Sequence, residues 1–176
     1  NFPYQNVLKP LLGDIMLDLG GTVSMKTTQD NRVAFTGSND TKVGPVICYE
    51  SVYGAFVTDY VKEGAEFLAI ITNDAWWGDT QGHKQHLNYA RLRAIETRRS
   101  IARSANTGIS AFINQKGELT KELGYGLRGS LKGTLNANDT LTFYVCFGDY
   151  LAKLAFIPVI LLLILSFFRK RRVTQV

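Results

Sequence analysis

Short continuous apolar runs alternate along the chain with stretches in which apolar residues recur every three or four positions. The first forty residues ("NFPYQN", "LGDIMLDLGG", "TGSND") break their apolar pieces with Gly, Asn and Asp, which predicts loops and short strands, one of them over residues 33–35. "KVGPVICYE" predicts a buried strand with Gly44-Pro45 marking its start and Val43, Val46 and Ile47 as its apolar positions. Residues 51–64 then place Val52, Phe56, Val57, Tyr60 and Val61 at helical spacing, with Ser51 near the N-cap and Gly64 as the stop. The scheme repeats. Residues 67–71, "FLAII", predict a strand covered on both faces. Residues 83–106 predict a helix whose apolar face is Leu87, Ala90, Ala94 and Ile95, with the arginines fanned out elsewhere. "GISAFINQKGEL" predicts a hairpin with a strand over 109–113 and a turn over 114–117. "GSLKGTLNANDTLTFYV" predicts two more strands with a turn over 136–139. This order implies a layered α/β fold with a mixed sheet.

The pattern changes near the C-terminus. Residues 154–168, "LAFIPVILLLILSFF", carry no charge, and extending back to Tyr150 gives nineteen residues with Lys153 as the one cation. Nineteen helical residues cover about 28 Å, close to the thickness of a bilayer's hydrocarbon. A buried core helix is the competing reading, but the four cations that follow, "RKRR" at 169–172, suit a membrane boundary better. The expected organisation is a domain over 1–149, a transmembrane helix over 150–168 and a basic cytoplasmic tail over 169–176. The positive-inside rule sets the domain on the far side of the membrane from that tail.

Composition adds little until charge is located. Apolar residues make up 45% and charged residues 20%, which is globular rather than disordered. The net charge of +5 comes entirely from Lys153 and the tail, so the domain is neutral and a nucleic-acid partner is set aside. Cys48 and Cys146 have the option of pairing in an oxidising compartment. His83 and His86 are three apart with no third ligand in view, which favours a surface or capping role over a metal. Arg91, Arg93, Arg98, Arg99 and Arg103 read as a solvated, ion-paired face, with an anionic lipid contact as the alternative.

Cys48 is the candidate for chemistry. A cysteine at the end of a strand and ahead of a helix projects from the sheet's carboxyl edge, and the helix start favours its thiolate. Neighbouring N–H groups, that of Tyr49 among them, can face an oxyanion. An inert buried cysteine remains the other reading. Asn73 and Asp74 share the same edge. Trp76 and Trp77 either line a pocket there or close the core, and Glu50 either supports the site or is a plain solvated corner residue.

"ICYES" followed by "ITNDAWWGDTQGHKQHLNYARLRAIETRRSIARSANTGISAFINQKGEL" resembles the carbon–nitrogen hydrolase (nitrilase) superfamily, and within it the membrane-bound apolipoprotein N-acyltransferase branch. The resemblance implies a four-layer αββα sandwich, incomplete here on its N-terminal side, plus one C-terminal transmembrane helix. It also implies a Glu–Lys–Cys triad with no metal and no cofactor. Cys48 matches the nucleophile, and Tyr49 and Glu50 match the two site residues after it. The implied reaction moves an acyl chain from a phospholipid through a thioester to the α-amino group of a diacylglyceryl-apolipoprotein. Its implied place is the bacterial inner membrane, with the domain in the periplasm. The family's glutamate and lysine precede the cysteine by a wide margin, and none of Lys9, Lys26 and Lys42 sits in the family's lysine context. The chain therefore reads as a C-terminal part that is inactive alone. A membrane-tethered amidase and a non-catalytic chain remain as alternatives.

Overall fold

A computed structural model describes residues 29–173 of the protein, with side chains to residue 167. The described residues from 33 onward form one compact unit, and residues 29–32 belong to a separate unit and carry no helix or strand. The loops and strands expected before residue 29 and the side chains of the basic tail lie outside the described residues.

Six strands form one sheet in sequence order: β1 (Phe35–Thr36), β2 (Lys42–Ile47), β3 (Phe67–Asn73), β4 (Ser100–Asn106), β5 (Ser110–Ile113) and β6 (Leu119–Leu123). β2, β3 and β4 run parallel, while β1, β5 and β6 pair antiparallel at the flanks. Helix α1 (Gly54–Lys62) joins β2 to β3, and α2 (Gln81–Thr97) joins β3 to β4. This is the mixed α/β sheet that the periodicity predicts. The hairpin over β5 and β6 also falls where expected.

The core lies between these two helices and one face of the sheet. Val46, Leu68, Ile70, Ile101 and Ile113 meet Val57, Val61, Leu87, Ala90 and Ala94 there, all buried. A strand's side chains alternate between faces. Among the described residues nothing covers the second face fully, so Ile47 and Ile71 are exposed while Phe67 and Ala69 are half-buried. That corrects the reading of residues 67–71 as covered on both faces. Gly44 and Pro45 lie inside β2 rather than at its start.

Three other expectations fail for identifiable reasons. The helix read over 83–106 ends at Thr97, because Arg98 takes a left-handed conformation (φ 52°) and the chain re-enters the sheet as β4. The helix read from residue 51 begins only at Gly54, after a tight 3-10 turn over Cys48–Val52. Residues 129–142 form no strand and are tied to the rest of the domain by side-chain hydrogen bonds running in both directions. Ser100 Oγ bonds Asn136 O (2.9 Å), Asn138 Nδ2 bonds Arg98 O (2.8 Å), and Thr142 Oγ1 bonds Glu96 O (2.5 Å). A short helix, α3 (Phe143–Phe147), follows in place of a strand.

The last helix, α4 (Tyr150–Val173), contains Pro158 and is exposed throughout its described side chains. Over residues 150–167 its mean hydropathy is 2.3, long and apolar enough to cross a membrane. Lys153 reaches back to Phe147 O (3.2 Å), so the span's one cation sits at its N-terminal end, as a snorkelling lysine does. Cys48 and Cys146 are both free thiols.

Arg99, completely buried, ties the irregular segment to the sheet and contradicts the solvated-face reading. Its Nε donates to Ala65 O (2.7 Å) and its Nη1 to Thr140 O (2.8 Å) and Thr97 O (3.1 Å). Burial pushes its pKa down, and Asp139 and Glu66 partly offset that. Arg99→Met leaves three carbonyls without their donor. The expected cost is roughly 3–5 kcal/mol, read as a lowered thermal midpoint in detergent, and an unchanged midpoint would refute the clamp.

Candidate active site

The parallel register sets the site. Val46 pairs with Ile70, and Ile70 with Arg103, on the helix-covered face. Continuing the alternation by two residues brings Cys48 and Thr72 to the carboxyl edge of the sheet on the same face. Cys48 is the first residue of the 3-10 turn and has φ +51°, a left-handed conformation that L-residues adopt at a cost of about 1–3 kcal/mol. Such a turn between strand and helix lifts a side chain clear of its own backbone, as in the nucleophile elbow of hydrolases.

The turn is held from several sides. Glu50 Oε2 accepts the Ile47 N–H at 2.8 Å, and Ser51 Oγ lies 2.9 Å from Cys48 O. Glu50 is thus committed to the backbone of the turn. Thr72 Oγ1 lies 3.3 Å from Cys48 Sγ and 2.9 Å from Asp74 Oδ1. One hydroxyl proton serves either acceptor, so Thr72 can receive the thiol's proton donation or donate to its thiolate.

Asp74, fully buried, joins the elements. Its Oδ1 also meets His86 Nδ1 at 2.9 Å, and its Oδ2 accepts from Arg103 Nη2 at 2.6 Å. His86 Nε2 in turn faces Ser51 Oγ (3.0 Å) and Cys48 O (3.2 Å). Arg103 Nη1 donates to Ile109 O. Burial alone would raise the Asp74 pKa, but the His86 bond, the Arg103 bond and charge, and the Thr72 bond together lower it from 3.8 to about 2. Gly108 packs directly on Asp74, where a Cβ would fall 2.7 Å from the aspartate's own.

Of the residues singled out from sequence, Cys48, Asp74 and Trp77 lie around one network through Thr72 and His86, and others lie elsewhere than expected. His83 and His86 are buried, not on the surface, and His86 belongs to the site; Arg93 and Arg103 are buried too. Trp77 stacks edge-on to His86 (5.2 Å between centroids), whereas Trp76 is 72% exposed and makes no wall. Tyr49 is half exposed beside Tyr53, Trp77 and His86, at 6.0–6.3 Å. Asn73 Oδ1 accepts from Ala75 N (3.1 Å) and shapes the loop. Ser51, Thr72, His86 and Arg103 were not singled out for the site from sequence. Lys42 opens β2, six residues or about 20 Å along the strand from Cys48, too far to assist it. Among the described residues no group of three or more His, Cys, Asp or Glu is arranged to hold a metal.

The carbon–nitrogen hydrolase family model matches residues 6–141, and the chain belongs to that family. Its relatives narrow the class. It is 34% identical over 168 residues to the apolipoprotein N-acyltransferase of Wigglesworthia glossinidia brevipalpis, covering 96% of this chain and 32% of that protein. It is 40% identical over 142 residues to the enzyme of the same name from Allorhizobium ampelinum, covering 80% and 25%. The chain thus spans a third or less of the length of these relatives. An amidase from Nesterenkonia sp. shares the fold at TM-score 0.53 and 15% identity over 76% of this chain and 50% of that one. A carbon–nitrogen hydrolase from Helicobacter pylori G27 does so at 0.51 and 14% over 57% and 42%. Fold and family agree with the expected architecture.

Asp74→Asn removes the counter-charge of a buried guanidinium and weakens the bond to His86. The expected loss is roughly 3–5 kcal/mol of stability at neutral pH. A carboxyl whose pKa is lowered on folding stabilises fully above its unfolded value and loses that contribution as pH falls through the folded one. The wild-type protein should therefore give up about 2 kcal/mol between ~pH 4 and ~pH 2 that the variant lacks, read by acid titration of the unfolding midpoint. Identical acid limbs would exclude an ionised Asp74.

Proposed function

We propose that this chain is the nucleophile-bearing part of a membrane N-acyltransferase that acylates apolipoproteins. The observation that carries the reading is Cys48 itself. It is a free thiol on a strained left-handed turn at the carboxyl edge of a parallel sheet, with Thr72 at its sulfur. The chain's similarity to proteins named apolipoprotein N-acyltransferase supports the choice of reaction. The apolar helix α4 supports a lipid setting, with residues 1–149 as the catalytic part, 150–168 as the anchor and the rest as a cytoplasmic tail. The positive-inside argument supports a domain across the membrane from the basic tail, and the resemblance to the acyltransferase branch supports the bacterial inner membrane with the domain in the periplasm.

The chemistry runs in two halves. Cys48 as thiolate attacks the ester carbonyl of a phospholipid, the tetrahedral intermediate collapses, and the lysophospholipid leaves as an alcohol that takes up a proton. A thioester remains on Sγ. The neutral α-amine of a diacylglyceryl-cysteine attacks that thioester, an amide forms, and the thiolate leaves with the amine's proton passed to a base. A thiolate serves well as both nucleophile and leaving group. Glu50 and Ser51 hold the turn, so the proton acceptor and the cation for the oxyanion come from the glutamate and lysine that the family places well before the cysteine. Tyr49 and Trp77 flank the sulfur's turn as an aromatic wall toward the acyl or headgroup side.

The test uses the protein expressed from its own gene and purified into phospholipid vesicles with a diacylglyceryl-cysteine peptide. N-acylated peptide should appear with wild type and fall by at least about a thousandfold with Cys48→Ala, as expected for loss of a covalent nucleophile. Acylation that survives Cys48→Ala would refute the assignment. Free fatty acid with no acylated peptide would point to hydrolysis instead.

A further inference from the structure

We propose that His86 is a positioning residue for Cys48, acting from its Nε2 on the cysteine's backbone carbonyl. The reasoning starts from the other nitrogen. His86 Nδ1 lies 2.9 Å from Asp74 Oδ1, an oxygen of an ionised carboxylate that can only accept, so Nδ1 carries a hydrogen. Arg103 Nη2, 3.3 Å from the same Nδ1, spends its donation on Asp74 Oδ2. The tautomer is thereby fixed, and the chemistry of the ring reduces to what Nε2 holds.

Nε2 faces two oxygens, Ser51 Oγ at 3.0 Å and Cys48 O at 3.2 Å, which are themselves 2.9 Å apart. A neutral ring has no hydrogen on Nε2, so the single hydroxyl hydrogen of Ser51 is divided between the ring and Cys48 O. A protonated ring donates from Nε2 to Cys48 O and frees Ser51 to donate there as well. The charge on His86 therefore decides whether the carbonyl of the strained Cys48 carries two side-chain donors or only a share of one. That carbonyl belongs to the residue whose φ of +51° aims the sulfur, so the hydrogen bonds act on the orientation of Sγ. The charged and titratable groups around the ring are Asp74 from the loop after β3, Arg103 from β4, and Tyr49 and Cys48 from the turn. Trp77 closes the remaining side.

The inference rests on Cys48 as the nucleophile but is tested without acyl donor. Cys146→Ser leaves one free thiol, and its alkylation by iodoacetamide is followed against pH in the detergent-solubilised protein. Two variants split the ring's two roles. His86→Gln carries an amide nitrogen near the Nε2 position and does not titrate. His86→Asn carries one near Nδ1, keeping the Asp74 contact and losing the one to Cys48. The thiolate's rate constant is expected to fall about tenfold in His86→Asn, the worth of one charge-assisted hydrogen bond, and to be retained in His86→Gln. A purely structural role predicts the reverse order, Asn tolerated and Gln harmful. That order, or equal loss in both variants, would overturn the proposal. Should acyl transfer fail while this split holds, the function is wrong and the positioning is right.

Discussion

A buried carboxylate needs partners for both oxygens, and in this protein that requirement organises the site. Asp74 draws on β3 through Thr72, on α2 through His86 and on β4 through Arg103, and has no exposed surface of its own. An uncompensated charge there would cost several kcal/mol, so the three donors and the aspartate hold one another in place. The cysteine turn sits on that assembly. Its strain is affordable because the surrounding contacts over-determine it: Glu50 at its start, Ser51 and His86 at the carbonyl, and Thr72 at the sulfur.

The same logic explains the sheet. Three parallel strands put the ends of β2 and β3 at one edge, where short helical turns begin and polar groups can gather without breaking a ladder. The helices cover the face from which Thr72 and Arg103 project, and His86 reaches in from α2, so the polar network is sealed by the core beneath it. Arg99 performs a comparable task at the far end of β4. It satisfies carbonyls of a segment that has no strand partner.

Much of this was legible in the residues, and what was not has a physical cause. The apolar runs at 43–47 and 67–71 marked β2 and β3 because buried strands need little else. Cys48 stood out by its place between strand and helix. Thr72 continues the Leu68, Ile70 alternation, and His86 adjoins Leu87 on the Ala90, Ala94 stripe, so both were readable by period. Their polarity argues for the surface until a partner is known, and although Asp74 lies two residues after Thr72, Arg103 comes from a segment distant in sequence. The break at Arg98 was hidden for another reason. An arginine in a left-handed cap has no glycine-like signature, so the helical pattern ran on into β4. The strands expected over 129–145 are absent, and in place of a ladder Ser100 of β4 donates to Asn136 O while Asn138 and Thr142 donate to the carbonyls of Arg98 and Glu96, which no local pattern reveals.

The central claim is that Cys48 carries the acyl group. The direct measurement is peptide mass spectrometry of the protein quenched in acid during turnover with phospholipid, before and after hydroxylamine. The account predicts an added acyl mass on the peptide containing Cys48, removed by hydroxylamine and absent from the peptide containing Cys146. An acyl group mapped to any other residue, or product formed at full rate with Cys48 unmodified throughout, would contradict it.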